Sequence, residues 1–374
     1  MASMLEPRPE IRITNLFMGR QFRGRLTDRP LNDNPRPMSN PTLNLKPSRP
    51  RVLSGMRPTG ALHLGHYHGA IKNWVRLQDT HDCFFFVADW HALTTQRPSG
   101  ETLTRHVYEM VTDWLAAGLD PERCTLFLQS RMPEHAELFT LLAMCTPSSW
   151  LARMPSYKDQ VAADPELATY GFLGYPLLQA ADILLYKPAG VPVGEDQTAH
   201  VEVTREVARR FNRLYAEAAP IFVEPQALLT ETARVPGLDG QKMSKSLDNA
   251  IAMRDEPEAV AAKIRTMPTD PQRVRRTDAG DPARCPVWPL HQIYSDDATR
   301  AACDSGCRTA SIGCLDCKQP LIESIQREQA PWRERAAALD PQQVQWTLEV
   351  GTERARAVAR KTLREVRGAM GLVA

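Results

Sequence analysis

The chain has 374 residues, 43% apolar and 24% charged, which leaves room for two domains at roughly 100–200 residues each and excludes collagen-like, wholly disordered and small disulfide-scaffold classes. Lys and Arg number 46 against 44 Asp and Glu, so the net charge of +2 demands no polyanionic partner. With no run of about 18 apolar residues and no secretory h-region, the chain is expected to be cytoplasmic, off the membrane, with most of its eight cysteines reduced.

Residues 1–51 hold ten Lys/Arg against four acids and eight of the 30 prolines. Such a segment buries too little apolar surface to offset its ordering entropy, so residues 1–50 are read as a disordered basic extension. It is an RNA-contacting tail, a linker, or, with Met38 as an alternative start, untranslated in part.

From residue 51 the texture changes to an α/β pattern. Arg51–Gly55 reads as a buried strand running into the turn Met56–Gly60. Leu62–Leu77 has helical spacing, and Cys83–Asp89 is a continuous apolar run of strand length. Glu101–Gly118 reads as a helix stopped by Gly118, and Thr125–Leu128 as a third strand. This alternation predicts a Rossmann-like parallel sheet with crossover helices over residues 51–250. After Glu256 strand signals nearly vanish. Pro331–Leu339, Pro341–Val350 and Thr352–Met370 read as successive helices, capped by Asp340 and Gly351, in an all-helical domain over 251–374.

Two motifs carry the chemistry. Arg57-Pro58-Thr59-Gly60-Ala61-Leu62-His63-Leu64-Gly65-His66 sits where the first strand passes into a helix. Ligands of open α/β sheets bind at such carboxyl ends, and helix N-termini favour phosphate. His63 and His66 share one face of the helix start and can donate to phosphate oxygens. Far downstream, Gln241-Lys242-Met243-Ser244-Lys245-Ser246 follows a loop of turn residues and has the composition of a phosphate clamp. Alone, each motif has a bland reading: surface histidines at a helix start, and a solvated basic loop.

Together, His-Leu-Gly-His and Lys-Met-Ser-Lys-Ser resemble the paired signature of class I aminoacyl-tRNA synthetases. Gly174-Tyr175-Pro176-Leu177-Leu178-Gln179-Ala180-Ala181-Asp182-Ile183-Leu184-Leu185-Tyr186, leading to Val191-Pro192-Val193-Gly194-Glu195-Asp196-Gln197, resembles the amino-acid helix and nucleotide loop of bacterial tryptophanyl-tRNA synthetases. The resemblance implies ATP contacts at Arg57, Pro58, Thr59, Gly65, His66, Gly194, Glu195, Asp196, Val235, Lys242, Met243, Ser244, Lys245 and Ser246. It implies catalytic roles for His63, His66, Lys158, Lys242 and Lys245, with Mg²⁺ on the pyrophosphate. It implies a tryptophan pocket of His91, Tyr175, Gln179 and Asp182, where Asp182 accepts from the indole N–H. An ionised carboxylate suits a group that only donates, although a tyrosine hydroxyl could donate too. Arg57, where the family commonly has Gln, and His66, where many relatives have Asn, are departures.

The implied reaction activates L-tryptophan with ATP to tryptophanyl-adenylate and transfers it to the 3′ end of tRNA(Trp), in a homodimer whose helical domain contacts the anticodon. A tyrosyl-tRNA synthetase-like ligase and a silent tRNA-binding paralogue stay open, although a silent copy has no need of the intact clamp. Cys285-x21-Cys307-x6-Cys314-x2-Cys317 resembles the [4Fe–4S] pattern of some members, whose first spacing is one residue longer. That leaves Cys303 as an alternative fourth ligand and zinc as an alternative metal. Arg356, Arg360 and Arg364 form a stripe along the last helix, read as solvated surface, with Ala355, Val358, Ala359, Leu363 and Val366 as its packing face.

Overall fold

The computed structural model describes residues 49–194, 197–229 and 235–372, so the basic extension falls outside it apart from Arg49 and Pro50. The strands are β1 (Arg51–Met56), β2 (Asp82–Val87), β3 (Cys124–Leu128), β4 (Gly190–Val193) and β5 (Gln226–Leu229). Around them lie α1 (Leu64–His66), α2 (Lys72–Leu77), α3 (Asp89–Leu93), α4 (Gly100–Ala117), α5 (Pro133–Ala143), α6 (Ser148–Ala152), α7 (Pro155–Ala163), α8 (Tyr170–Leu184) and α9 (Thr198–Tyr215). The chain finishes with α10 (Pro257–Thr266), α11 (Trp288–Tyr294), α12 (Asp297–Arg308), α13 (Cys314–Ala338) and α14 (Pro341–Ala369). None of the described helices is long and apolar enough to cross a membrane.

All strand pairs are parallel, in the order β3-β2-β1-β4-β5. This is the Rossmann-like arrangement expected from the alternating pattern, and the strand order reverses direction between β1 and β4. A parallel sheet is covered on both faces, so its strands read as continuous apolar runs while their side chains still alternate. Cys83, Phe85 and Val87 of β2 enter one core with Val52, Trp74, Trp114 and Leu126. Phe84 and Phe86 enter the other with Leu53, Phe127 and Tyr186. On the first face Trp74 stacks on Phe85 at 4.4 Å and meets Trp114 edge-on at 5.4 Å. Such aromatic pairs add about 0.5–1.5 kcal/mol each beyond area burial. Gly118, as expected, ends α4 in the left-handed region at φ 110°.

The helical part differs from the sequence reading in two places. Helix α13 runs from Cys314 through Pro331 to Ala338, and α14 runs unbroken through Gly351. Gly351 is a packing residue, not a cap: a Cβ there would lie 1.8 Å from the Leu126 carbonyl oxygen of β3. Val344 and Leu348, before it, join the first core; Ala355, Ala359, Leu363 and Val366, after it, join the second. Helix α14 therefore crosses the β3 edge of the sheet and covers it, which removes an open edge.

The arginine stripe on α14 also departs from the solvated reading. Arg356 and Arg360 both pair with Glu134, a buried residue of α5, and Arg356 donates to the Arg131 carbonyl at 2.6 Å. Arg367 forms two bonds to Glu137 at 2.6 and 2.8 Å, whereas Arg364 is exposed. The stripe is largely a seam between α14 and α5.

Candidate active site

At the carboxyl end of β1 the two sequence motifs meet. Gly60 makes the turn at φ 109°, a conformation that disfavours other residues. Leu64 N–H donates to the Ile251 carbonyl at 3.0 Å and Met253 N–H to the Leu62 carbonyl at 2.8 Å. These bonds tie the chain leaving the Lys242–Ser246 loop to the start of α1. Met243 is buried, and its Cβ lies 3.6 Å from where a Cβ on Gly65 would be. Lys245 Nζ stands 3.5 Å from the corresponding point at Gly60.

Lys245 Nζ and His63 Nδ1 are both buried without a hydrogen-bond partner. Burial lowers the lysine's pKa to about 8, against the raising effect of Asp113 and Glu109. Burial first, then the charges of Lys245 and Lys242, lowers His63 to about 4. The same causes, with His63 added, hold His66 well below the usual histidine range. Both imidazoles are therefore neutral at pH 7. His66 Nδ1 accepts from the His63 backbone N–H at 3.2 Å, so its proton sits on Nε2, free to be donated.

Asn249, not singled out in the sequence, organises the lysine loop. Its Oδ1 accepts from Ser244 N–H at 2.7 Å, and its Nδ2 donates to Asp239 at 2.8 Å and to the Lys242 carbonyl at 3.2 Å. Lys242 is exposed and Val235 buried. Pro58 is buried in the β1 turn, Thr59 N–H donates to the Arg57 carbonyl at 2.9 Å, and exposed Arg57 reaches Thr95 Oγ1 at 3.4 Å. Gly194 closes β4 and accepts from Gln197 N–H at 3.0 Å. Glu195, Asp196 and the side chain of Ser246 lie outside the described residues. Lys158 is exposed on α7, with no described hydrogen bond to the clamp.

Tyr175, Gln179 and Asp182 fall on one face of α8. Tyr175 Oη lies 2.6 Å from Ser156 Oγ and 3.0 Å from His200 Nε2, and Gln179 Oε1 takes His200 Nδ1 at 2.8 Å. Asp182 is completely buried. His135 Nδ1 donates to its Oδ1 at 2.6 Å and His91 Nε2 to its Oδ2 at 2.7 Å, while Gln129 Nε2 bonds both oxygens at 2.9 and 3.0 Å. Burial raises the carboxyl's pKa, but the bonds from His135 and His91 outweigh it and hold the group at about 2. The side chain is an anion surrounded by donors.

Tyr186 Oη contacts His135 Nε2 at 2.7 Å, which fixes the imidazole with its proton on Nδ1 toward Asp182. Gln129 is oriented in turn by accepting from Trp90 N–H at 3.1 Å. Gln129, His135 and His200 were not identified from sequence. His91 was, and it occupies an oxygen of Asp182 expected to serve the substrate.

A third cluster lies in the helical part. The ligand atoms of His291, Cys303 and Cys317 fall within 4.8 Å of one another, with Cys317 Sγ 3.4 Å from His291 Nε2. Cys285, Cys307 and Cys314 are half-buried. Burial raises the Cys307 thiol, the Arg273 charge works against that, and neighbouring Cys285 and Cys314 add to the rise.

Comparison with known proteins places this geometry. The model of class I tRNA synthetases for tryptophan and tyrosine matches residues 46–328. The chain is 53% identical to a tryptophan–tRNA ligase of Ralstonia nicotianae over 86% of its length and 98% of the relative's. It is 49% identical to that of Thermotoga maritima, over 86% of this chain and 99% of that one. Its fold is similar to the crystal structure of Campylobacter jejuni tryptophanyl-tRNA synthetase complexed with ADP and tryptophan, with TM-score 0.78 and 34% identity over 86% of this chain and all of that one. The chain belongs to the class I tRNA synthetases of the tryptophan and tyrosine family.

Proposed function

We propose that this chain is a tryptophan–tRNA ligase working through the residues assembled at the carboxyl ends of β1 and β4. It activates L-tryptophan with ATP and charges tRNA(Trp). The observation that carries this reading is the convergence of two buried, unpartnered nitrogens, Lys245 Nζ and His63 Nδ1, beside the start of α1. Unpaired buried polar atoms are costly unless a ligand completes them, and triphosphate oxygens are suitable acceptors.

The tryptophan carboxylate attacks the α-phosphorus and pyrophosphate leaves. No side-chain nucleophile is needed, so catalysis consists of positioning and of charge stabilisation. Lys245 and Lys242 neutralise charge that moves onto the leaving pyrophosphate; a bound Mg²⁺ would supply further positive charge there, and exposed Lys158 on α7 is an additional candidate cation. His66 donates its Nε2 proton as a neutral imidazole, and His63 Nδ1 completes the phosphate contacts. Asp182 receives the indole N–H at Oδ2, where the substrate takes over or shares the position of His91. Tyr175 and Gln179, buttressed by His200, line the pocket. The adenylate is then attacked by a terminal ribose hydroxyl of the tRNA. By family likeness two copies associate in the cytoplasm. Amino-acid-dependent ATP–pyrophosphate exchange is the test: turnover with tryptophan and none with tyrosine is expected, and the reverse overturns the assignment.

Cys285, Cys307, Cys314 and Cys317 would hold a [4Fe–4S] cluster, which supplies a covalent cross-link between segments of the helical part when bound. The fit rests on the donor set: Cys307 is near enough to Cys285 and Cys314, and Cys317 to Cys285 and Cys307, for their charges to interact, with buried Arg273 beside Cys307. A zinc reading is favoured by the close approach of His291, Cys303 and Cys317. Structural zinc takes four ligands, and this group offers three. Iron, acid-labile sulfide and zinc analysis of anaerobically purified protein separates the two.

A further inference from the structure

Arg273, between α10 and α11, is only 8% exposed. Its Nη2 donates to the carbonyls of Arg276 at 3.0 Å and Ile312 at 2.6 Å, and its Nη1 lies 3.9 Å from Cys307 Sγ. Its Nε is buried with no partner. Three arginines nearby have carboxylates: Arg276 has Asp316, Arg284 has Asp270 and Asp281, and Arg308 has Asp281 and Asp304. Among the described residues Arg273 has no ion pair, although a guanidinium stays charged even when buried. A buried cation without an anion is costly. Besides the two carbonyls, the group its guanidinium faces is Cys307 Sγ.

The surrounding backbone holds Cys307 in place. Gly280 N–H donates to the Cys307 carbonyl at 3.0 Å, and a Cβ on Gly280 would lie 2.6 Å from Cys307 Sγ. The two carbonyls that hold Arg273 belong to the turns on either side, one of them the turn leading into Cys314. In α11 His291, fully buried, has its Nδ1 at 2.8 Å from Ser295 Oγ, and its Nε2 lies 3.4 Å from Cys317 Sγ. Nitrogen groups from two different segments thus approach two of the four cysteines.

We propose that Arg273 is the counter-cation of the thiolate centre, neutralising the excess negative charge of a cluster held by Cys285, Cys307, Cys314 and Cys317, with His291 as the second donor to a ligating sulfur. This inference rests on the cluster reading given above. A [4Fe–4S] core with four thiolates is a dianion that becomes a trianion on one-electron reduction. A fixed buried charge stabilises the trianion more, so Arg273 raises the reduction potential, as net charge and hydrogen bonds to sulfur do generally.

The test is an EPR-monitored redox titration of the full chain, purified anaerobically, as wild type, R273Q and R273K, with iron and sulfide assayed on each. R273Q should keep the cluster and shift its reduction equilibrium about tenfold toward the oxidised form, ~59 mV for one electron, and R273K should recover most of that shift. If R273Q loses its iron instead, retention by R273K supports the charge role, whereas loss from both variants overturns it. Equal potentials in fully loaded wild type and R273Q overturn the role of Arg273 and leave the cluster standing. Wild-type protein without iron overturns the cluster reading and this inference with it.

Discussion

Replacing Asp182 by Asn preserves the shape of the side chain and removes its charge. Every polar contact to the carboxylate comes from a donor, namely His135, His91 and Gln129. An amide nitrogen in either oxygen position must therefore oppose one of them. Losing one hydrogen bond to a charged acceptor costs about 1.5–3 kcal/mol, and the donor–donor clash adds to it. The carboxyl's pKa of about 2, against 3.8 for the free side chain, independently implies about 2 kcal/mol of stabilisation by the ionised form. We expect Asp182→Asn to lower stability at pH 7 by about 2–4 kcal/mol. Because the folded pKa is depressed, this contribution is complete above the unfolded value and is lost as pH falls toward about 2. The gap between wild type and variant should thus narrow by about 1 kcal/mol between pH 5 and pH 3. Urea titrations at those pH values measure it. The same variant should lose about a hundredfold in tryptophan-dependent exchange while the Michaelis constant for ATP barely moves. A gap that stays constant with pH, or exchange at the wild-type rate, would refute the donor-ringed anion as the recognition device.

Lys245→Ala should slow adenylate formation more than it raises either Michaelis constant, because the lysine acts on charge that peaks in the transition state; a loss confined to tryptophan binding contradicts the clamp. With Lys245 held at about 8 by burial, its charge is present below that pH, so kcat/KM should fall as pH rises through about 8, and Lys245→Ala should abolish that limb. Gly351→Ala gains about 1 kcal/mol in helix propensity, yet its Cβ would fall 1.8 Å from a backbone oxygen. Overpacking of this kind typically costs about 1–3 kcal/mol or more, so the urea midpoint should drop, and an unchanged midpoint would show that α14 does not cross β3 so closely. Cys314→Ser should remove iron from the anaerobic protein and reduce tRNA charging while exchange stays nearly intact; full iron retention removes Cys314 from the ligand set.

The elements that the sequence made legible were those whose periodicity is decided locally. The continuous apolar run from Cys83 to Val87 could be read as a buried strand because both its faces are covered, and Gly118 because a left-handed stop favours glycine. β4 and β5 did not stand out: each has four residues, too few for a period to register. Gly351 misled for the opposite reason, since glycine ends helices more often than it admits a neighbouring backbone. At the site, the paired motifs led directly to His63, His66 and Lys245. The ring of donors around Asp182 did not, because Gln129 and His135 lie 53 and 47 residues from it in segments with no motif. A lone buried histidine ordinarily reads as core. The α14 arginines were misread for a similar reason, as Glu134 lies 226 residues before Arg360.

The crossing of α14 over β3 also constrains when the protein can finish folding. The edge strand is complete once Leu128 has been made, but the helix that seals it follows more than two hundred residues later. At about 5–20 residues per second, the nascent chain therefore carries an unsealed β-edge and two half-built cores for roughly ten to fifty seconds. Contacts of such sequence separation place this chain among slow folders by topology. The open edge is a surface that chaperones, or another nascent chain, can reach first. A message truncated before codon 351 yields a sheet that has its nucleotide motifs yet has never been closed.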